Sequence, residues 1–103
     1  MKKILLACAG GFSTSMLVQQ MQEAAKKQQI NVLIEAMPEA EIKEDTNFDI
    51  LMLGPQLGHV QPTFQARFPK LPVTVIDMVA YGMLDGTSVL ATAMKIMEGN
   101  QDE

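Results

Sequence analysis

The apolar residues of this chain form two alternating patterns. Short continuous apolar runs predict buried strands, whereas apolar residues spaced three or four apart predict helices. The strands are predicted at residues 2–7, 31–36, 48–53 and 73–76. The helices are predicted from Ser13 or Thr14 to 28, from Leu57 or Val60 to 68, and from 79 to 97. Gly82 predicts a break in the last helix, with a second start near residues 85–87.

Prolines mark the ends of several predicted elements. Pro38, within the segment 37–40, predicts a short helix or turn with proline at its first position. Pro55 follows Gly54 at the end of the third strand, and Pro69 and Pro72 both precede the fourth. The chain is therefore divided into regular strand and helix units with no candidate linker.

The order of these units predicts an α/β fold. The segments between strands are long enough to cross over, which predicts a four-stranded parallel sheet with helices on both faces. Right-handed crossovers favour the strand order 2-1-3-4 of a flavodoxin-like three-layer sandwich. With 103 residues, the chain has room for a single domain, 1–103. In such a sheet the ligand crevice opens at the carboxyl ends of strands one and three.

Cys8 stands at that point, where the first strand ends and the first helix is about to begin. A lone cysteine is usually a small buried hydrophobe, but this one precedes two glycines and three hydroxyl residues. Glycines allow a tight turn, and free N–H groups at a helix start bind anions. We therefore predict that Cys8 is a nucleophile that carries a phosphoryl group. The predicted phosphate-binding segment is Ala9, Gly10, Gly11, Phe12, Ser13, Thr14 and Ser15.

The walls of the predicted crevice come from the ends of strands three and four. Residues 54–58 would form one wall and residues 77–82 the next. The candidate wall residues are Gly54, Pro55, Gln56 and Tyr81. Tyr81 can either line the crevice or pack against the start of its helix, because its ring is apolar and its hydroxyl polar.

Composition narrows the classes of function. The net charge is −4 with no basic cluster, which argues against a nucleic-acid surface. One cysteine and one histidine, His59, far apart in sequence make no metal site, and no cofactor is indicated. A single free cysteine suits a reducing cytoplasm. No apolar run approaches the roughly 20 residues that span a bilayer, and the run at residues 4–7 is too short for a lipoprotein signal.

Several known phosphate sites do not fit the segment after Cys8. A Walker A loop needs a lysine near its end, and no lysine occurs between Lys3 and Lys26. A dinucleotide fingerprint needs a third glycine that the segment does not have. A receiver domain needs an acidic residue at the end of the third strand, where this chain has Leu53 and Gly54.

The nearest competitor is a cysteine phosphatase of the low-molecular-weight tyrosine phosphatase type. Members of that family close the loop with an arginine that stabilises the transferring phosphoryl group. The corresponding residue here is Thr14, and no obvious Asp-Pro acid loop is present. Without the arginine, hydrolysis should be slower by several powers of ten, whereas acceptance of a phosphoryl group on sulfur remains feasible.

The chain resembles the lactose/cellobiose-type enzyme IIB components of the bacterial phosphoenolpyruvate-dependent sugar phosphotransferase system. The resemblance covers nearly the whole chain and rests on an ordered set of segments. These segments are the first strand with Cys8 to Ser15, residues 34–39, 53–56 and 75–77, and Tyr81-Gly82 with Asp85-Gly86. Gly11-Phe12 is a local variation within the loop. By this resemblance, 1–103 is an enzyme IIB-type domain.

The resemblance implies that Cys8 accepts a phosphoryl group from a phosphohistidine of enzyme IIA. The group would then pass to a sugar, such as the β-linked disaccharides cellobiose, chitobiose or lactose, held by the membrane component enzyme IIC. The domain would be a cytoplasmic phosphotransferase that does not itself insert in the membrane. The segment's hydroxyls either contact the phosphoryl group or cap the helix. Two alternatives stay open: a phosphatase-like hydrolase and a non-catalytic docking module.

Overall fold

The protein is described from a computed structural model, which covers residues 1–9 and 12–100. Within residues 12–100, the side chains of Phe12, Ser13 and Asn100 are outside the description. The strands are β1 (Lys2–Cys8), β2 (Val32–Pro38), β3 (Ile50–Leu53) and β4 (Val73–Val75). The α-helices are α1 (Phe12–Lys27), α2 (Gln61–Arg67), α3 (Met78–Gly82) and α4 (Gly86–Asn100). Two 3-10 segments, Glu39–Glu41 and Pro55–Val60, complete the order.

The strands form one parallel sheet in the order β2-β1-β3-β4. This confirms the predicted topology 2-1-3-4. Residues 4–7 of β1 and all of β3 are buried, because helices cover both faces of the sheet. All four carboxyl ends therefore lie along one edge of the sheet, which we call the carboxyl edge.

Two apolar clusters hold the helices against the two faces of the sheet. On one face α1 and α4 pack on β1 and β3, with Leu6, Leu17 and Leu90 fully buried. On the other face α2 and the 3-10 segment before it contribute Leu57 and Phe64. Successive side chains of a strand point to opposite faces of the sheet and so enter opposite clusters. A strand that is covered on both faces therefore has a continuous apolar run in its sequence. The result is the predicted three-layer sandwich.

Several predicted boundaries were wrong by a few residues. β2 continues to Pro38, which pairs with Cys8, so this proline ends a strand and is not the first residue of a helix. Pro38 lacks an N–H but can sit at the end of an edge strand, where that donor is not needed. α1 begins at Phe12, one residue before the earliest predicted start, so Ser13 and Thr14 lie inside its first turn.

The remaining differences are at element ends. β3 begins at Ile50, although Phe48 before it is buried, and β4 ends one residue earlier than predicted. The helix predicted from Leu57 or Val60 is a 3-10 segment from Pro55 that continues as α2. The break at Gly82 is confirmed, because α3 ends there and α4 starts at Gly86.

Candidate functional site

Cys8 is the last residue of β1 and lies at the carboxyl edge of the sheet. Its side chain is a free thiol and is partly exposed. β1 is flanked by β2 and β3, whose crossovers leave in opposite directions, so the switch point of the topology falls beside Cys8. A reactive group at this position is open to solvent while its strand is fixed by neighbours on both sides.

The first turn of α1 faces the same edge. The helix starts at Phe12, four positions after Cys8, and its first turn contains no acidic residue. The N–H groups of a first helical turn have no partner within the helix, and the helix dipole makes this end positive. Ala9 and Ser15 are exposed. Gly10, Gly11 and the side chains of Phe12 and Ser13, also predicted to bind phosphate, lie outside the described residues.

Thr14 is connected to α3 by a side-chain hydrogen bond. Its Oγ1 lies 2.9 Å from the Tyr81 hydroxyl, and either oxygen can be the donor. Thr14 is only 2% exposed and is the one buried polar residue found in the described part of the chain. The hydroxyl predicted to cap a helix or contact phosphate is therefore used to join the start of α1 to α3.

Gly54 connects the end of β3 to β1 through a backbone hydrogen bond. Its N–H donates to the carbonyl of Ala7, the residue before Cys8, at 3.2 Å. A Cβ placed on Gly54 would lie 3.8 Å from the Tyr81 ring and 3.0 Å from the Gln56 Oε1. Glycine thus leaves room for both side chains beside the end of β1.

A cleft of about 570 Å³ lies between the 3-10 segment after β3 and α3. It is lined by Pro55, Gln56, Met78, Tyr81, Gly82 and Leu84. The sequence-predicted wall residues Gly54, Pro55, Gln56 and Tyr81 are therefore brought together by the fold. Met78 and Gly82 fall within the predicted wall 77–82, whereas Leu84 was missed, since nothing local to the sequence distinguishes it from a core residue. His59 is exposed and lies outside the cleft lining.

Two aspartates order the chain on the α3 side of the edge. The Asp77 carboxylate accepts a hydrogen bond from the Ala80 N–H at 2.9 Å and caps α3. The Asp85 carboxylate accepts from the Ser88 N–H at 3.1 Å at the start of α4. That hydrogen bond, together with one from the Ser88 side chain, lowers the pKa of Asp85. The two caps fix the start of α3, which carries Tyr81, and the start of α4, which follows it.

The basic residues lie away from Cys8. Parallel strands and their return helices run in opposite directions, so a strand start and a helix end share the amino edge of the sheet. In the described chain, the residues at such places are Lys2 and Lys3 (start of β1), Lys26 and Lys27 (end of α1), Arg67 (end of α2) and Lys70 (before β4). Lys43 lies in the segment leading to β3, and Lys95 in the second half of α4. Any phosphoryl group on Cys8 would thus depend on N–H and hydroxyl donors.

Neither a metal site nor a membrane span is found within residues 1–9 and 12–100. No group of three histidine, cysteine, aspartate or glutamate side chains there is arranged to hold a metal ion. Nor does any helix in those residues combine the length and apolar character that crossing a membrane requires.

The fold is shared with a known class of protein. Residues 3–92 match the family described as the PTS system, Lactose/Cellobiose specific IIB subunit. The oligo-beta-mannoside-specific EIIB component of Bacillus subtilis (strain 168) is 40% identical over 100 residues, spanning 94% of this chain and 97% of that protein. The galactose-specific EIIB component of Lactococcus lactis subsp. cremoris (strain MG1363) is 38% identical over 104 residues, spanning 93% and 96%.

Solved structures agree with this match. The solution structure of the cellobiose-specific phosphotransferase IIB component protein from Borrelia burgdorferi has a TM-score of 0.79 and 35% identity. It covers 96% of this chain and 94% of that one. The lactose-specific IIB component domain from Streptococcus pneumoniae has a TM-score of 0.77 at 18% identity, covering 91% and 95%, and shows the shared fold.

The chain therefore belongs to the lactose/cellobiose-specific IIB family of the sugar phosphotransferase system. Components of this type act in sugar phosphotransfer, together with IIA and IIC partners.

Proposed function

We propose that this protein is a phosphoryl carrier in which Cys8 accepts a phosphoryl group from a phosphohistidine of enzyme IIA. It then passes that group to a sugar carried by the membrane component enzyme IIC. The observation that carries the proposal is the partly exposed thiol at the end of the central strand β1, just ahead of the first turn of α1. The protein would work in the cytoplasm, where its donor phosphate is made.

The first step is transfer from nitrogen to sulfur. The Cys8 sulfur, as thiolate, attacks the phosphorus in line, so that the S–P bond forms while the N–P bond of phosphohistidine breaks. The electron pair of the broken bond stays on the imidazole nitrogen of the donor. The N–H groups of the 9–15 segment are the donors available to the phosphoryl oxygens.

The second step returns the thiolate. A sugar hydroxyl attacks the phosphorus, forming the O–P bond as the S–P bond breaks, and the hydroxyl proton leaves to a base on the partner side. The partner supplies that base, so the reaction is completed in the complex of the two proteins. A phosphoryl carrier needs a group that is a good nucleophile in the first step and a good leaving group in the second, and a thiolate meets both requirements.

The buried Thr14 hydroxyl supports transfer over hydrolysis. A phosphatase of similar design would use an arginine at this position to stabilise the charge of the transferring group. Thr14 is instead buried and bonded to Tyr81, so the site holds the phosphoryl group without a cation among the described residues. Holding without hydrolysing is the property that a carrier requires.

The sugar we propose is a β-linked disaccharide such as cellobiose, chitobiose or lactose. The support comes from relatives, one named for oligo-beta-mannosides and another, 38% identical and from Lactococcus lactis subsp. lactis (strain IL1403), for cellobiose. A third relative is named for galactose, so the family includes other sugars. Selection among them would lie largely with enzyme IIC.

The test is the intact mass of the protein after incubation with the upstream phosphotransferase proteins and phosphoenolpyruvate. The proposal expects a single phosphate adduct that is localised to Cys8 and is absent from Cys8→Ser. Serine is close to cysteine in size, so circular dichroism should show an unchanged fold. No adduct on the unaltered protein would favour a docking module, and steady release of phosphate without sugar would favour a hydrolase.

A further inference from the structure

An apolar surface is exposed on α3, outside the cleft lining described above. Val79 is 67% exposed and Met83 is 76% exposed, and Val75 at the end of β4 lies beside them. We call Val75, Val79 and Met83 the α3 face. Scattered exposed apolar side chains are ordinary, but these three come from the end of β4, from α3 and from the residue after α3, and they line one groove, as expected of an interaction site. Methionine is suited to such a site, since its flexible side chain adapts to its partner.

The α3 face borders a groove. A depression of about 500 Å³ runs between β4, α3 and α4, and its floor includes Met52 and Ile76. This volume is sufficient for an apolar side chain from another protein. Asp77 and Asp85 both line this groove, and both are exposed. The groove therefore combines an apolar floor with two carboxylates at its margin.

Acidic residues occur elsewhere along the carboxyl edge as well as at the groove. The acidic residues Glu39 and Glu41 follow β2, and Asp77 follows β4, whereas the basic residues at strand starts and helix ends lie towards the amino edge. No lysine or arginine is among the described residues that line the groove. A partner approaching Cys8 from this side meets an apolar surface with negative charge around it.

We propose that the α3 face and its groove dock enzyme IIC, the membrane component to which Cys8 delivers its phosphoryl group. This inference rests on the proposed function. The surface of enzyme IIC that would complement this groove presents an apolar side chain flanked by lysine or arginine. Cytoplasmic loops of membrane proteins carry an excess of these cations, so charge complementarity favours the membrane component as the partner of this groove.

The position of α3 supports docking of an acceptor here. Tyr81, on the same helix, reaches Thr14 in the first turn of α1, so the α3 face lies beside the elements that surround Cys8. A partner seated on it could bring a sugar hydroxyl to the sulfur without covering α2 on the opposite face of the sheet. The carboxylates at the margin of the groove would raise the rate of association with enzyme IIC. The apolar contacts in the groove would lower the rate of dissociation.

The main test separates loading from unloading. The double variant Val79→Thr with Met83→Gln replaces two exposed side chains by polar ones of similar size, so the fold should be kept. Loading of Cys8 by enzyme IIA should be unchanged. The concentration of sugar-loaded enzyme IIC in vesicles that gives half-maximal discharge should rise about three- to tenfold. The matched control is Leu33→Thr, an exposed apolar residue of β2.

A second pair of variants tests the charges. Asparagine also caps helices, so Asp77→Asn with Asp85→Asn removes both carboxylates and keeps both caps. Discharge to enzyme IIC should become less sensitive to added salt, because the screened attraction has been removed. The control is Glu98→Gln, an exposed residue near the end of α4.

Failure of this inference can be told apart from failure of the proposed function. The proposed function fails if the unaltered protein takes no phosphate on Cys8. Docking itself is then still measured, as cosedimentation of unphosphorylated protein with vesicles that contain enzyme IIC. Val79→Thr with Met83→Gln should weaken that binding, and Leu33→Thr should not. Equal binding of all forms, slowed loading by enzyme IIA with normal discharge, or a dimer of this chain that the double variant dissociates would each overturn the inference.

Discussion

The Thr14 Oγ1 and the Tyr81 hydroxyl lie 2.9 Å apart, although 67 positions separate the two residues in sequence. The bond joins the first turn of α1, which follows Cys8, to α3, which follows β4. Two helices that are far apart in sequence are thereby held next to each other at the carboxyl edge. The start of α1 is where a phosphoryl group on Cys8 would find N–H donors, so this relation sets the geometry of the proposed site.

Removing the Tyr81 hydroxyl should destabilise the protein. Tyr81→Phe withdraws a hydrogen bond from the buried Thr14, at a cost of about 1 kcal/mol in the free energy of unfolding. Thr14→Val alone should also be destabilising, but the double variant should cost less than the sum by about 1 kcal/mol. Urea unfolding of all four proteins measures this coupling. Additive effects would show that the bond contributes nothing to stability.

Gly86→Ala should be strongly destabilising. A Cβ at this position would lie 2.4 Å from the carbonyl carbon of Gln20 and 2.5 Å from the Met21 nitrogen, so the α1 and α4 backbones would have to move apart. The expected loss is about 2–3 kcal/mol, despite the better helix propensity of alanine. Gly99→Ala in the same helix meets no atom within 4 Å and is the matched control. It should be neutral or slightly stabilising, and similar melting temperatures for the two variants would contradict the packing argument.

The phosphorylated protein should hydrolyse slowly on its own. The described surroundings of Cys8 supply no lysine or arginine to stabilise the charge that develops during attack by water. Addition of sugar-loaded enzyme IIC should accelerate loss of the phosphate by roughly 10³-fold, since the partner then supplies the missing groups. Time courses of the phosphorylated mass with and without the partner give both rates. A fast loss that does not depend on the partner would point to a hydrolase.

Asp85 should contribute to the acid sensitivity of the fold. Its hydrogen bond from the Ser88 N–H lowers the pKa of the carboxyl in the folded protein relative to the unfolded chain. The contribution is therefore complete above the unfolded pKa and is lost as the pH falls through the lowered folded value. Asp85→Asn keeps the cap but cannot titrate, so the midpoint of urea unfolding should fall less steeply between about pH 5 and pH 2. Identical pH profiles for the two proteins would rule out this role.

The sequence alone was sufficient to determine the order of elements and the topology of the sheet. Continuous apolar runs occur only where a strand is covered on both faces, and residues 50–53 are buried without exception. Right-handed crossovers then leave few arrangements for four such strands. Cys8 could be placed at the carboxyl edge by the same reasoning, because its position depends only on where β1 ends.

The element ends could not be derived in this way. Pro38 has the features of a helix start when its neighbours in sequence are considered, but its partner is Cys8, 30 positions away. Phe48 is apolar and buried, yet it precedes β3, since packing in the core does not require a strand conformation. Local pattern indicates burial and periodicity, whereas pairing across the sheet decides where a strand begins and ends.

Only the tertiary structure decided how the side chains of the site are used. A threonine near a helix start has a local partner available, so the sequence predicts a cap, but burial against α3 gives Thr14 a distant partner in Tyr81. The separation of basic residues from Cys8 is likewise invisible in a net charge of −4, because it depends on strands and helices running in opposite directions. Sequence determines local conformation and the burial pattern, but contacts between residues far apart exist only once the sheet has brought those residues together.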